Sequence, residues 1–141
     1  MTEPGKVVVA VGALVQDGRV LLVHRSPFRR WYPDVWDLPG GHVEQGESCR
    51  EALVRELDEE LGVQVVEDDC HAVATLGLTA GDDVGELELS IWSVNHWLST
   101  PMNSCLDEHD RLAWCGAGEL AALTLAHDDY RHLLGSILRG S

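Results

Sequence analysis

The sequence predicts an α/β fold in which a mixed β-sheet carries a helix on each face. Apolar runs of β-branched character open the chain and are separated by a turn signal, as in a strand hairpin. Two later segments have the spacing of amphipathic helices, one in the first half of the chain and one at its end. The resulting order is strand, strand, helix, several strands and helix, and 141 residues suffice for one such core.

The N-terminal elements are predicted to form a β-hairpin. Residues 7–15 read VVVAVGALV, an apolar run typical of a strand buried on both faces. Asp17-Gly18 lies in the turn, and residues 20–24 form the returning strand. Two prolines in the following segment, 25–34, exclude regular structure there.

The same segment concentrates cationic and aromatic side chains. Three arginines, Arg25, Arg29 and Arg30, come from only ten basic residues in the whole chain. Arginine binds phosphate oxygens bidentately, and aromatic rings such as that of Trp31 stack on bases. One interpretation is therefore a substrate-binding loop. The alternative is a surface loop in which Phe28 or Trp31 fills part of the core.

A helix is predicted between Ser48 and Gly62. Ser48 followed by Glu51 forms a capping box, and Gly62 supplies the residue just past the helix end. At about 100° per residue its apolar side chains share one face: Leu53, Val54, Leu57 and Leu61. That face is predicted to pack inward.

The neighbouring face of this helix carries three carboxylates within one turn, Glu56, Glu59 and Glu60. Like charges at this spacing repel by roughly a few tenths of a kcal/mol per pair. A divalent cation such as Mg²⁺ offsets the repulsion, because hard cations take oxygen ligands. The alternative is a solvated acidic face, which is common on surface helices. Gly40-Gly41, before the helix, favours a ligand, since glycine lets the backbone approach closely and offer a carbonyl.

The remaining elements follow from local patterns. Residues 36–39 form a short extended piece before the glycines. Further strands are predicted at 63–66, 71–79, 86–97 and 111–114. Between them lie an acidic turn at 67–69, a hairpin loop at 80–85 and an irregular segment at 99–110. The last helix begins at Asp128 or Asp129, and its apolar residues keep helical spacing: Tyr130, Leu133, Leu134, Ile137 and Leu138.

The segment 41–63 resembles the Nudix box, a glycine, five residues, glutamate, seven residues and Arg-Glu-aliphatic-x-Glu-Glu-x-Gly-aliphatic. Every specified position matches: Gly41, Glu47, Arg55, Glu56, Leu57, Glu59, Glu60, Gly62 and Val63. A match of this length is highly specific. The resemblance implies one Nudix hydrolase domain over residues 1–141, with an α/β/α sandwich and a mixed β-sheet between the helices. It also implies Mg²⁺-dependent hydrolysis of a diphosphate linked to another moiety, with Mn²⁺ as a substitute.

The resemblance implies roles for individual residues. Metal ligands would be the Gly40 carbonyl and the carboxylates of Glu56, Glu59, Glu60 and Glu108, with Glu56 and Glu60 as first choice. The catalytic set comprises Glu47, Arg55, Glu56, Glu59 and Glu108. Arg55 and Glu47 are the charge pair of the box, expected to orient the carboxylate helix.

Two residues outside the box complete the predicted site. Glu108 precedes Trp114 by six residues, as in triphosphate-cleaving members, and would bind metal or take a proton from water. The alternative is a solvated loop acid, with Asp107 and Asp110 as rivals. His127 stands where relatives that hydrolyse oxidised guanine nucleotides carry a base-reading asparagine. An imidazole does not present the donor and acceptor pair of an amide, which weakens the case for 8-oxoguanine specificity.

The alternative for His127 is a surface residue at the start of a helix. The remaining histidines show no ligand spacing, and no function is predicted for them: His24, His42, His71, His96, His109 and His132.

The composition of the chain limits the kinds of molecule that it is expected to bind. The formal net charge of −14 disfavours binding to a nucleic-acid polymer, whereas a small nucleotide is compatible if metal ions screen its charge. The start MTEPGK does not resemble a signal peptide, and the apolar run at 7–15 is too short to span a membrane. Four cysteines without C-x-x-C spacing predict reduced thiols in the cytoplasm. The expected assembly is a monomer or a homodimer.

Three functions are compatible with these residues. The leading one is a nucleoside triphosphate pyrophosphohydrolase of the MutT type, for which nucleotide-pool sanitising is an open role. The second is hydrolysis of ADP-ribose or a nucleotide sugar, which usually requires extra sequence. The third is a nucleotide-binding sensor without turnover, which the complete box disfavours.

Overall fold

The structure, a computed structural model, describes residues 7–27, 33–79, 86–104 and 109–140. Its strands are β1 (Val7–Gln16), β2 (Arg19–Arg25), β3 (Trp36–Asp37), β4 (Gly40–His42), β5 (Cys70–Thr79), β6 (Glu86–Val94) and β7 (His109–Cys115). Its α-helices are α1 (Cys49–Leu61), α2 (Ala117–Leu120) and α3 (Asp129–Gly140), with a 3-10 turn at Glu67–Asp69. No helix of the described part is long and apolar enough to cross a membrane.

The sheet is mixed, as predicted, and β1 lies at its centre. β1 pairs in parallel with β6 and antiparallel with β2 and β4. β3 and β7 pair with β2, and β5 pairs antiparallel with β6. The middle of β1 is buried, as expected for an apolar run that has neighbours on both sides.

A helix packs on each face of the sheet, which confirms the predicted layers. One core cluster contains Leu53, Leu57 and Leu61 from α1, all fully buried. The other contains Tyr130 and Leu134 from α3. Alternate residues of the central strands feed the two clusters, because successive side chains of a strand point to opposite faces.

The predicted ends of α1 are confirmed. The N–H of Glu51 donates to the Ser48 hydroxyl over 3.1 Å, and the N–H of Ser48 donates to Oε1 of Glu51 over 2.8 Å. Gly62 is left-handed, with φ of 70°, and its N–H donates to the Asp58 carbonyl. α3 begins at Asp129, as its capping signal predicts.

Several predicted boundaries are wrong. The strand expected at 63–66 is reduced to one bridge between Gln64 and Leu98. β6 ends at Val94 instead of residue 97, since the Trp97 ring leaves the sheet and stacks on Trp114, with ring centroids 6.1 Å apart. β7 begins at His109, two residues early.

The short elements β4 and α2 were not predicted. β4 is mostly glycine, a residue with no side chain to indicate a strand, and it forms because β1 offers it a free edge. β3 occupies the first half of the extended piece predicted at 36–39. The hairpin loop predicted at 80–85 lies outside the described residues.

A buried hydrogen bond fastens α3 to the strand before the glycines. The Tyr130 hydroxyl donates to Oδ1 of Asp37 over 2.7 Å, and both residues are buried. Tyr130→Phe is expected to lower the free energy of unfolding by about 1–3 kcal/mol, because the buried carboxylate loses a donor. Urea denaturation measures the loss in unfolding free energy, provided that the dependence of this free energy on urea concentration is the same for both proteins. The exposed substitution His132→Gln on the same helix is the control, and a loss below about 0.5 kcal/mol for Tyr130→Phe would contradict the assigned bond.

Candidate active site

Two glycines bring β4 into contact with the carboxylate face of α1. Gly40 has φ of 149°, and a Cβ there would collide with the Ala10 carbonyl. A Cβ on Gly41 would overlap the carboxylate of Glu56. Glycine at position 40 therefore lets β4 lie against the backbone of β1, and glycine at position 41 leaves room for the Glu56 carboxylate of the helix.

Glu60 lies inside this contact and is 1% exposed. Its Oε2 accepts a hydrogen bond of 2.9 Å from the N–H of Gly40. Its Oε1 lies 3.2 Å from Nε2 of His109, which is 3% exposed. His109 was not predicted as a site residue from the sequence. The available signal was its position directly after Glu108, but spacing alone could not pair it with a helix far away in the chain.

Arg55 joins the remaining acidic residues of the site. Its Nε and Nη2 donate to the two carboxylate oxygens of Glu47 over 2.7 and 2.9 Å, which confirms the predicted pair. Its Nη1 lies 2.8 Å from Glu56 and 3.4 Å from Glu59. One guanidinium therefore offsets part of the repulsion among the clustered carboxylates.

The bidentate contact shifts both titrations. The hydrogen bond from Arg55 lowers the pKa of Glu47 from 4.5 to about 2, and Glu47 in turn raises the pKa of Arg55. Both groups are therefore ionised throughout the physiological range.

Glu47→Gln is expected to destabilise the fold only where Glu47 is ionised. A depressed pKa contributes stability that is complete above the unfolded value of 4.5 and is lost as the pH falls toward about 2. The difference in unfolding free energy between wild type and Glu47→Gln should therefore shrink from pH 5 to pH 3 in urea titrations. Glu44→Gln is the matched control, because Oε1 of Glu44 lies 3.9 Å from Nη2 of Arg55. A difference that does not change with pH would contradict this assignment.

The donor set fits a hard divalent cation. Carboxylate and carbonyl oxygens are the ligands that Mg²⁺ takes, and Glu56 and Glu60 flank the same glycine turn. Glu59 is more exposed and shares Arg55 with Glu56. Among the described residues, no three acidic, histidine or cysteine side chains already surround one point at metal-binding distance. The further predicted ligand, Glu108, lies outside the described residues.

The arginine segment is only partly described. Arg29, Arg30 and Trp31, predicted to bind substrate, lie outside the described residues. Arg25 ends β2, is mostly buried, and places Nη1 3.6 Å from Oδ2 of Asp37. Its guanidinium therefore lies beside a protein carboxylate.

His127 is half-buried and lies two residues before α3 begins. Its ring packs edge-on against Tyr130, with centroids 5.2 Å apart. Burial lowers its pKa, and the nearby charge of Arg25 adds to this while Asp37 opposes it. Burial therefore favours the neutral imidazole, which lies near the Arg25–Asp37 pair.

A second buried histidine, also missed, ties β2 to β7. Nδ1 of His24 lies 2.7 Å from Asp110, and its Nε2 lies 3.2 Å from Asp34. The hydrogen bond from His24 lowers the pKa of Asp110. Asp110, considered as a rival of Glu108, is thus paired with His24 at the edge of the sheet.

Comparison with known proteins finds similar sequences and a similar fold. A family model described as NUDIX domain matches residues 6–134. The CTP pyrophosphohydrolase of Escherichia coli K12 is 34% identical over 127 residues, covering 88% of this chain and 87% of that protein. A putative 8-oxo-dGTP diphosphatase 2 of Mycobacterium tuberculosis is 35% identical over 120 residues, covering 80% and 75%. The crystal structure of a MutT protein from Methanosarcina mazei Go1 shares the fold, with a TM-score of 0.79 at 20% identity, and covers 99% of this chain and 98% of that one.

Proposed function

The chain belongs to the Nudix hydrolase family, and from that premise we propose that it hydrolyses nucleoside triphosphates to a nucleoside monophosphate and pyrophosphate, with Mg²⁺ as cofactor. The observation that carries the proposal is the carboxylate face of α1, pressed onto a glycine turn and organised by Arg55. The whole chain, 1–141, is taken as one hydrolase domain.

Each residue of the candidate site has a proposed role. Glu56, Glu59, Glu60, Glu108 and the Gly40 carbonyl would hold Mg²⁺. When bound, the ion neutralises phosphoryl charge and lowers the pKa of water. Arg55, fixed by both oxygens of Glu47, holds Glu56 against Gly41 and so orients the carboxylates before substrate arrives. Glu108 is proposed to accept the proton of the attacking water.

The substrate class is inferred from the relatives and from His127. The two relatives above bear names of enzymes that act on nucleoside triphosphates, CTP and 8-oxo-dGTP. A neutral imidazole lacks the paired donor and acceptor of an amide, so 8-oxoguanine is not the proposed preference. An unmodified pyrimidine triphosphate is the first candidate.

The proposed setting is a reducing cytoplasm. Among the described residues, Cys49, Cys70 and Cys115 are free thiols, and burial raises the pKa of Cys70 to about 11. A thiol that stays protonated reacts slowly and needs no disulfide partner, which suits that compartment.

Turnover of a nucleotide panel with MgCl₂ tests the proposal. The panel contains CTP, dCTP, dATP, 8-oxo-dGTP, ADP-ribose and UDP-glucose, with ³¹P NMR to identify pyrophosphate as product. Glu56→Gln serves as the inactive control. Preferred hydrolysis of ADP-ribose or UDP-glucose would overturn the triphosphate assignment, and nucleotide binding without turnover would favour a sensor.

A further inference from the structure

We propose that His109 is a positioning residue, whose buried imidazole holds the carboxylate of Glu60 in the orientation that binds the divalent cation. The inference rests on the proposed function, because it takes Glu60 as a metal ligand. It assigns His109 a role in metal affinity that acts through Glu60.

The two carboxylate oxygens of Glu60 lie against two different polar groups. One oxygen, Oε2, accepts from the Gly40 N–H at 2.9 Å, and the other, Oε1, lies 3.2 Å from Nε2 of His109. A hydrogen bond on one oxygen and an imidazole nitrogen beside the other restrict how the carboxylate turns about its last bond. Both Glu60 and His109 are almost fully buried, so water cannot replace a lost contact.

His109 is itself held in register with the end of α1. Its carbonyl accepts a hydrogen bond of 2.6 Å from the Asn103 side chain. Ser104, which follows Asn103 in the chain, donates its N–H to the Glu60 carbonyl over 2.8 Å. The N–H of Met102 donates to the Leu61 carbonyl over 2.9 Å. Residues 102–104 therefore tie β7 and α1 together, and the imidazole meets Glu60 at a fixed distance.

The apolar surroundings make this polar contact consequential. Leu57 lies one helical turn before Glu60, and Leu61 directly follows it. Both leucines are fully buried. If an aliphatic side chain replaced the imidazole, the Glu60 carboxylate would have one polar contact fewer in this environment, and other rotamers would compete. A ligand that spends time in other rotamers binds metal more weakly, since the ion must first select the right one.

Metal affinity separates positioning from simple packing. Substitution of a residue that only fills space changes the free energy of unfolding but does not change the metal affinity of the folded site. A positioning residue changes the dissociation constant measured on folded protein. The probe is Mn²⁺ alone, with the free aquo ion followed by electron paramagnetic resonance and the fold monitored by circular dichroism.

The variants are His109→Leu, His109→Gln and His109→Asn. The amide nitrogen of glutamine reaches the place of Nε2, whereas that of asparagine reaches only the place of Nδ1. His109→Leu and His109→Asn are expected to weaken Mn²⁺ binding by at least about tenfold, the size seen for outer partners of metal ligands. His109→Gln is expected to stay within about threefold of wild type, as is the exposed control His132→Gln.

The outcomes are distinguishable. A wild-type protein that binds no Mn²⁺ overturns the proposed function. Wild-type binding that His109→Leu and His109→Asn leave unchanged overturns the role of His109 alone. Equal weakening in His109→Gln and His109→Asn also overturns it, because a donor at the Nε2 position would then be irrelevant. If His109→Leu fails to fold, the contrast between glutamine and asparagine decides.

Discussion

Replacing Glu56 or Glu60 by glutamine is expected to lower kcat at least about a hundredfold, the effect of removing a key electrostatic group. At about 100° per residue the two side chains lie about 40° apart on α1. Both meet the glycine turn, Glu56 against Gly41 and Glu60 through the Gly40 N–H. Glutamine keeps the shape and the helix propensity but removes the charge that a divalent cation requires. Steady-state kinetics at saturating Mg²⁺ and nucleotide measure the loss.

Asp58→Asn is the matched control on the same helix. Asp58 lies about 160° from both glutamates by the same helical step. It is exposed, and its carboxylate accepts from the Gln64 side chain at 3.3 Å. We expect a change in kcat below about threefold, as for surface substitutions away from special features. If Asp58→Asn were as damaging as Glu56→Gln, the helical placement of the site would be wrong.

Local signals predicted the helices and their ends well. The capping box at Ser48 and the left-handed Gly62 act within one turn of the residues that they terminate, so their spacing is visible in the sequence. The Glu47–Arg55 pair was predictable for a similar reason, because both residues belong to one contiguous pattern.

Non-local contacts could not be predicted. His24 and Asp110 meet across a separation of 86 residues, and only the pairing of β2 with β7 brings them together. The Glu60–His109 contact depends likewise on where β7 starts relative to α1. No periodicity records such a register, so these histidines looked unremarkable in the sequence. The roles assigned to Arg29, Arg30, Trp31 and Glu108 stay predictions.

β4 shows a second reason why sequence patterns did not predict every element. Strand propensity measures how side chains fit a pleated surface, and a Gly-Gly pair offers none. Gly41 leaves room for the Glu56 carboxylate, Gly40 leaves room for the backbone of β1, and both glycines pair with β1. Close packing against Glu56 and the β1 backbone, rather than strand propensity, therefore accounts for this short strand.

Removing divalent cations is expected to abolish activity while leaving the fold intact. Excess EDTA should reduce turnover to the background rate, MgCl₂ should restore it, and MnCl₂ should substitute. The physical reason is that the guanidinium of Arg55, at this face, is already engaged by Glu47, Glu56 and Glu59. It offsets repulsion within the protein and so leaves little positive charge for a polyphosphate, whose reaction requires its phosphoryl oxygens to be neutralised.

The fold should survive EDTA because the same contacts hold the metal-free site. Arg55 links the acidic residues of the box, and Gly40 donates to Glu60, so the metal-free protein should still unfold cooperatively in urea. Mg²⁺ should raise the urea midpoint only by the amount that its binding to the folded state contributes. EDTA already saturated with Mg²⁺ is the control for effects of the chelator itself. Full turnover in excess free EDTA would contradict metal dependence. Loss of structure in EDTA would show instead that the ion holds the helix in place and that Arg55 does not suffice.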